Sequence, residues 1–202
     1  MRLPVLTEKA VSQIKHHRSQ KGADFRTLAG DSVTCRKGCS HCCSYPLYIS
    51  ILEGVCLYLY LKGEGLWNFS LRRDLEEHLK QTIGLTPEVW LLAGAPCPLL
   101  TDEKTCLAYE QRPFLCRTML SVGDPYLCRP AEFSAGTPLL YRHDRMDEYY
   151  RLEKELLKEM RAPTARVPLS FAVMLGEKLV EGKIDVEDIT PEVLKAYAQE
   201  GL

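Results

Sequence analysis

Nothing in this 202-residue chain stays apolar long enough to cross a bilayer. The most apolar stretch, Tyr45 to Leu61, carries Pro46, Glu53 and Gly54 and falls short of the ~20 residues a spanning helix needs. Net charge is nearly missing as well. Lys+Arg 26 against Asp+Glu 27 leaves a formal charge of −1, with no bulk electrostatic pull toward nucleic acid or an anionic membrane. The opening MRLPVLTEKAVSQIKHHR lacks the pattern of a secretory leader: Pro4 interrupts it and it continues amphipathic and basic. The expected compartment is the cytoplasm, with no membrane and no nucleic acid as partner. Low-complexity tracts and fixed-period repeats are absent too, and a 46% hydrophobic, 26% charged composition excludes wholesale disorder.

Cysteine is what the chain has in excess, with nine. A chain of this length buries roughly 70% of its unfolded surface and does not need disulfide staples. In a reducing compartment such thiols are read as metal ligands. An odd count agrees, since a disulfide framework leaves one over.

Helical periodicity dominates the rest. It predicts a helix over about 4–18 with Leu6, Ala10, Val11 and Ile14 on its buried stripe. Ile49 to Lys62, apolar nearly all round, reads as a core helix ending at Gly63. Ser70 is the expected cap of a helix carrying Leu71, Leu75, Leu79 and Ile83, stopped by Gly84. Thr86-Pro87-Glu88 opens a short helix to Leu92. Asp144 to Arg161, with Met146, Tyr149, Tyr150, Leu156, Leu157 and Met160 inward, Pro168 to Val180, and Pro191 to Gln199 capped by Thr190 complete the set.

Two stretches fit no period, Asp31 to Ser44 and Ala93 to about Pro138. The second far exceeds the ~12–15 residues a structureless loop reaches in a compact domain, and eight of the nine cysteines lie in these two stretches. The expected fold is therefore mainly α: a single helical domain, 1–202, around an irregular, cysteine-rich metal-binding centre. That core spans about 34–129, between the N-terminal helix 4–18 and C-terminal helices over 144–200.

The first cluster, CRKGCSHCC, supplies Cys35, Cys39, Cys42 and Cys43. Cys39-x-x-Cys42 has knuckle spacing, two sulfurs aimed at one ion by a tight turn, and Gly38 can take the angles such a turn demands. Neighbouring side chains of an extended chain point apart, so the Cys42-Cys43 doublet suits two centres or a multi-iron cluster. Cys97, Cys106, Cys116 and Cys128 form the second group. Four plus four thiolates satisfy two zinc sites, or one [4Fe-4S] cubane and one zinc. Zinc and iron both stay open, because thiolates suit either. Eight thiolates against two divalent ions leave an excess of about four negative charges, which Arg36, Lys37, Arg112, Arg117 and Arg129 are placed to offset.

Cys56, on the apolar helix, is expected to be a core hydrophobe. His41 is a spare ligand; His16, His17, His78 and His143 are expected in solvent. Glu53, one charge in an apolar helix, is expected to face solvent, with approach to the metal region as the alternative. Tyr109, Glu110 and Pro113 read as scaffold, with a local Glu110 pair to Arg112 or Arg117.

Cys35-x3-Cys39-x2-Cys42-Cys43, the CPLL run at Cys97, CLAYEQRPFLCR from Cys106 to Arg117, and Cys128 about a dozen residues on resemble the YkgJ-type cysteine-cluster proteins, a family of zinc- or iron-chelating CxxCxxCC domains. The resemblance covers Thr34 to about Arg129. It implies a metal centre built from these eight cysteines and implies no established reaction. A similar cluster occurs in the larger flagellin lysine methylases, which gives the alternative of an iron–sulfur enzyme or redox protein linked to S-adenosylmethionine. The three-cysteine spacing also matches radical S-adenosylmethionine enzymes, yet no strand–helix alternation follows it. A zinc ribbon would need a second C-x-x-C knuckle and a basic surface. A thioredoxin-like oxidoreductase would need a βαβ pattern around its C-x-x-C.

Overall fold

A computed structural model describes residues 5–29, 33–129, 139–140, 143–190 and 192–194. Among these, α-helices run over Val5–Ala29 (α1), Ile51–Gly63 (α2), Phe69–Thr82 (α3), Pro87–Ala93 (α4), Phe114–Thr118 (α5), His143–Glu159 (α6) and Leu169–Val180 (α7). Four short strands, Tyr48–Ser50 (β1), Leu120–Ser121 (β2), Leu139–Leu140 (β3) and Arg166–Pro168 (β4), pair antiparallel as β1 with β4 and β2 with β3. The fold is mainly helical, as expected.

A helix that is apolar all round must be buried all round, and α2 is. Ile51, Leu57, Tyr58 and Leu61 pack into a core shared with α3 and α7. Leu52, Val55 and Cys56 pack into a second core with α1, α5 and α6. α2 crosses α7 backbone to backbone because both carry glycine at the contact. A Cβ on Gly54 would lie 2.1 Å from the Ala172 carbonyl oxygen, and one on Gly176 would lie 2.8 Å from the Gly54 backbone. Register holds the same pair at its ends: Ile49 faces Val167 in the β1–β4 ladder, and each strand leads straight into one of the two helices. Ser50 caps α2 by accepting the Glu53 N–H.

Several expectations shift. α1 continues to Ala29 rather than ending near residue 18. Gly22 inside it costs about 1 kcal/mol, and contact with α2, α5 and α6 overrides that penalty. Ala10, Val11 and Ile14 are buried as predicted; the Leu6 side chain lies outside the described residues. Asn68, not Ser70, caps α3, its side-chain oxygen accepting the Leu71 N–H at 3.0 Å. Leu71, Leu75 and Leu79 are buried as read, and Ile83 sits at the C-cap. α4 starts at Pro87 behind its Thr86 cap and closes on Gly94 in the left-handed region at φ +61. His78 is buried instead of solvated, its Nδ1 2.8 Å from Ser170 Oγ; burial lowers it to about 4, so it is neutral. His17 is half-buried against the Tyr149 ring, His16 is exposed, and the side chain of His143 is outside the described residues. Of the last predicted helix only its start is described: Thr190 Oγ1 accepts the Val193 N–H, and residues 195–202 lie outside.

Candidate metal centre

Cys35 follows a bridge between Val33 and Val122. Thr34 N–H donates to the Ser121 carbonyl at 3.0 Å, and the Ser121 N–H donates to Cys35 Sγ at 3.2 Å. Gly38, at φ +90, makes the turn in which Cys39 N–H reaches the Arg36 carbonyl at 3.0 Å. This left-handed position is where glycine has the advantage. Cys42 and Cys43 lie on a 3-10 turn, His41–Ser44. The second cysteine stretch is laced directly to the first, since Cys97 N–H donates to the Cys43 carbonyl at 2.6 Å.

Cys97 and Cys106 then stand on the two arms of a tight loop. Leu100 bridges Cys106, Leu107 N–H donates to the Leu99 carbonyl at 2.7 Å, and Lys104 turns the corner at φ +60. Pro113 caps α5, which carries Cys116. Cys128 ends the 3-10 turn Pro125–Cys128, capped by Asp124. This turn packs on the His41–Ser44 turn, and Tyr45 Oη donates to the Cys128 carbonyl at 2.8 Å. The long irregular stretch is thus ordered, through residue 129, by short turns locked onto the first cluster.

A recess of about 90 Å³ opens among these elements, bordered by Cys39, Cys42, Cys43, Cys97, Cys106 and Cys116. Leu99, Leu115, Met119 and Leu169 supply much of its apolar wall. None of the nine cysteines is in a disulfide. Burial pushes Cys97 up to about 12 and raises Cys116, Cys106 and Cys39 as well. Cys42 is raised first by its hydrogen bond with Cys43, then by burial. Neutral thiols crowd where their charged forms are disfavoured. Among the described residues, no group of three or more His, Cys, Asp or Glu side chains is arranged as a ready metal site.

The surrounding charge bears on whether a thiolate-bound metal fits. The Arg112 guanidinium stacks on Tyr109 at 3.8 Å, donates to the Tyr109 carbonyl at 3.0 Å, and acts favourably on Cys42, Cys106 and Cys116. Arg117 donates to the carbonyl oxygens of Arg112 and Glu110, so it meets Glu110 through the backbone. Burial and the guanidiniums of Arg18 and Arg112 bring Arg117 down to about 10. Arg18 is fully buried. Its Nη2 donates to Gln111 Oε1 at 2.5 Å, while Nε and Nη1 have no hydrogen-bond partner among the described residues. A metal centre ringed by thiolates carries net negative charge, which the Arg112 guanidinium on the recess wall is placed to offset, so donor set and counter-charge both fit such a centre. Arg129 covers the Tyr126 ring and Lys37 lies over the Tyr109 ring; Arg36 is exposed.

Glu53 is a correction. It is 1% exposed and supports the cysteine region from beneath: Oε1 accepts the Phe114 N–H, the first residue of α5, at 2.7 Å. Its Oε2 lies 3.7 Å from Arg166. Arg166 also pairs with buried Glu153, which accepts from Ser50 Oγ at 2.7 Å. Burial, then the charge of Glu53, raises Glu153 to about 7. Glu153, Arg166, Arg18 and Gln111 were not among the residues the sequence singled out. Spacing held a signal for two of them: Arg18 continues the Ala10, Ile14 series, and Glu153 stands four after Tyr149. Cys56 is fully buried in the second core, away from the recess lining.

Residues 34–139, just over half the chain, match the family model CxxCxxCC, described as a putative zinc- or iron-chelating domain. The chain belongs to this family. No curated protein and no solved structure matches it. Family membership supports zinc or iron chelation and metal ions as partners. Among the described residues no helix is long and apolar enough to cross a membrane.

Proposed function

We propose that this CxxCxxCC protein chelates zinc or iron through Cys35, Cys39, Cys42, Cys43, Cys97, Cys106, Cys116 and Cys128. The observation that carries the reading is the recess. Cysteines 54 or more residues apart in sequence border it together, and the Arg112 guanidinium borders it with them. Metal binding releases the protons that burial holds on Cys39, Cys97, Cys106 and Cys116. When bound, the metal supplies cross-links that fix the turns around it. The protein's part is to present sulfurs, with Arg112 and Arg117 offsetting their charge. An odd count of nine cysteines suits a reducing compartment, and the cytoplasm is the proposed location.

The number of sulfurs at the recess favours one second reading. Six cysteines border it, more than the four that one zinc takes, which suits a [4Fe-4S] cluster with redox or S-adenosylmethionine-linked chemistry. Anaerobic purification followed by a visible spectrum and acid-labile sulfide assay separates the two. A colourless zinc protein supports chelation by zinc; a brown, sulfide-containing protein supports the cluster.

A further inference from the structure

The helix that carries Cys116 to the recess wall, α5, is only five residues long. So short a helix has little stability of its own, and its first N–H groups have no partner within it. Its N-cap is Pro113, whose side chain makes no capping hydrogen bond. The cap comes instead from another helix: Glu53 of α2, 61 positions away, accepts the Phe114 N–H at 2.7 Å. A carboxylate is a favoured partner at a helix N-terminus.

Glu53 is itself locked in place. Its backbone N–H donates to Ser50 Oγ at 3.2 Å, and Ser50 Oγ donates to Glu153 Oε1 at 2.7 Å. Glu153 Oε2 pairs with Arg166, which returns to Glu53 Oε2 at 3.7 Å. These contacts close into a ring that begins and ends on Glu53, built from β1, α2, α6 and β4. Ser50, Glu53 and Glu153 are all buried. The ring engages Oε2 and leaves Oε1 to α5. Phe114 is held from the side as well, its ring stacked on Tyr149 at 3.8 Å.

Resting on the chelation reading above, we infer that Glu53 is a positioning residue of the metal centre. Through the Phe114 N–H it fixes the first turn of α5, and with it the place of the Cys116 sulfur two residues on. It acts through that helix and not as a ligand. The property that matters is the reach of its oxygen to the N–H, because the ring already neutralises its charge.

Reach and charge separate in two conservative variants of the full chain. Glu53→Asp keeps the charge and withdraws the oxygen by one methylene; Glu53→Gln keeps the reach and drops the charge. Metal-free protein is titrated anaerobically with Zn(II) against a competing chelator. Glu53→Asp should weaken zinc binding about 10–100-fold, the usual cost of losing a group that orients a ligand, and Glu53→Gln should stay near wild type. The reverse order, or equal affinities in the two variants, overturns the proposal. Leu57→Ala, in the core that α2 shares with α3 and α7, supplies the structural control and should leave zinc affinity unchanged. A matching loss there makes the Glu53 effect one of general stability and overturns the proposal.

A second readout needs no metal. N-ethylmaleimide labelling mapped by mass spectrometry should find Cys116 faster to react in Glu53→Asp than in wild type, while the fully buried Cys56 stays unlabelled. Unchanged labelling of Cys116 overturns the positioning role. Should Glu53→Asp fail to fold, Ser50→Ala opens the ring with the carboxylate kept and should move both readouts in the same direction; no movement overturns the proposal. A wild type that takes up neither zinc nor iron overturns the chelation reading, and the labelling then still decides whether Glu53 places Cys116.

Discussion

Glu53 joins the buried core to the cysteine region, because its carboxylate accepts the Phe114 N–H that begins α5. Glu53→Ala leaves that donor unsatisfied and should cost at least about 1–3 kcal/mol, read as a lower urea midpoint. Glu53→Gln keeps an acceptor and should lose less. Glu153 carries a pH signature. Its carboxyl is raised by burial from 4.5 to about 7, so between these values the folded state keeps a proton the unfolded state has released. Its contribution therefore falls as pH rises through that window. Glu153→Gln should flatten the slope of unfolding free energy against pH between about 4.5 and 7; an unchanged slope would show that this carboxyl titrates normally. Cys56 fills space in the second core, so Cys56→Ala should leave metal content unchanged while lowering the thermal midpoint. Loss of metal on that change would make Cys56 a ligand.

The α2–α7 crossing depends on two missing side chains. Gly54→Ala drives a Cβ into the Ala172 carbonyl and should destabilise by about 1–3 kcal/mol or more, as overpacking does. Gly63→Ala, with nothing within 4 Å of the added Cβ, should be near neutral, and equal costs in a denaturation series would contradict the packing described. The sequence made α2, α3, α4 and α7 legible because apolar spacing marks each of them, although the α3 cap was read two residues late, at Ser70 instead of Asn68. The close approach of α2 to α7 was not legible, since no spacing rule says which helix will meet Gly54. α1 was read too short because Gly22 and polar neighbours ended the periodic signal, although tertiary contact continues the helix. Glu53 was misplaced for a related reason: a lone carboxylate on an apolar helix is normally solvated, and its partner Arg166 lies 113 positions away. The turns of 97–128 have no period at all, and only the cysteines announced that something orders them.

Across the whole molecule, two parts with different sources of stability meet on α2. The α1, α2, α3, α6 and α7 framework is held by apolar burial, whereas the cysteine region is built of short turns around a recess. Chelation should therefore act unevenly. Amide hydrogen exchange after metal removal is expected to quicken over 33–44 and 95–129 while α2 and α7 stay protected; uniform loss of protection would show one cooperative unit. Family, donor set and the counter-charge of Arg112 at the recess converge on a thiolate-bound metal, and the most direct test is elemental analysis of the full chain purified anaerobically without added metal. The expected result is stoichiometric zinc or iron that is lost when Cys97→Ser and Cys39→Ser are combined. A folded, metal-free protein that takes up neither ion would contradict the account.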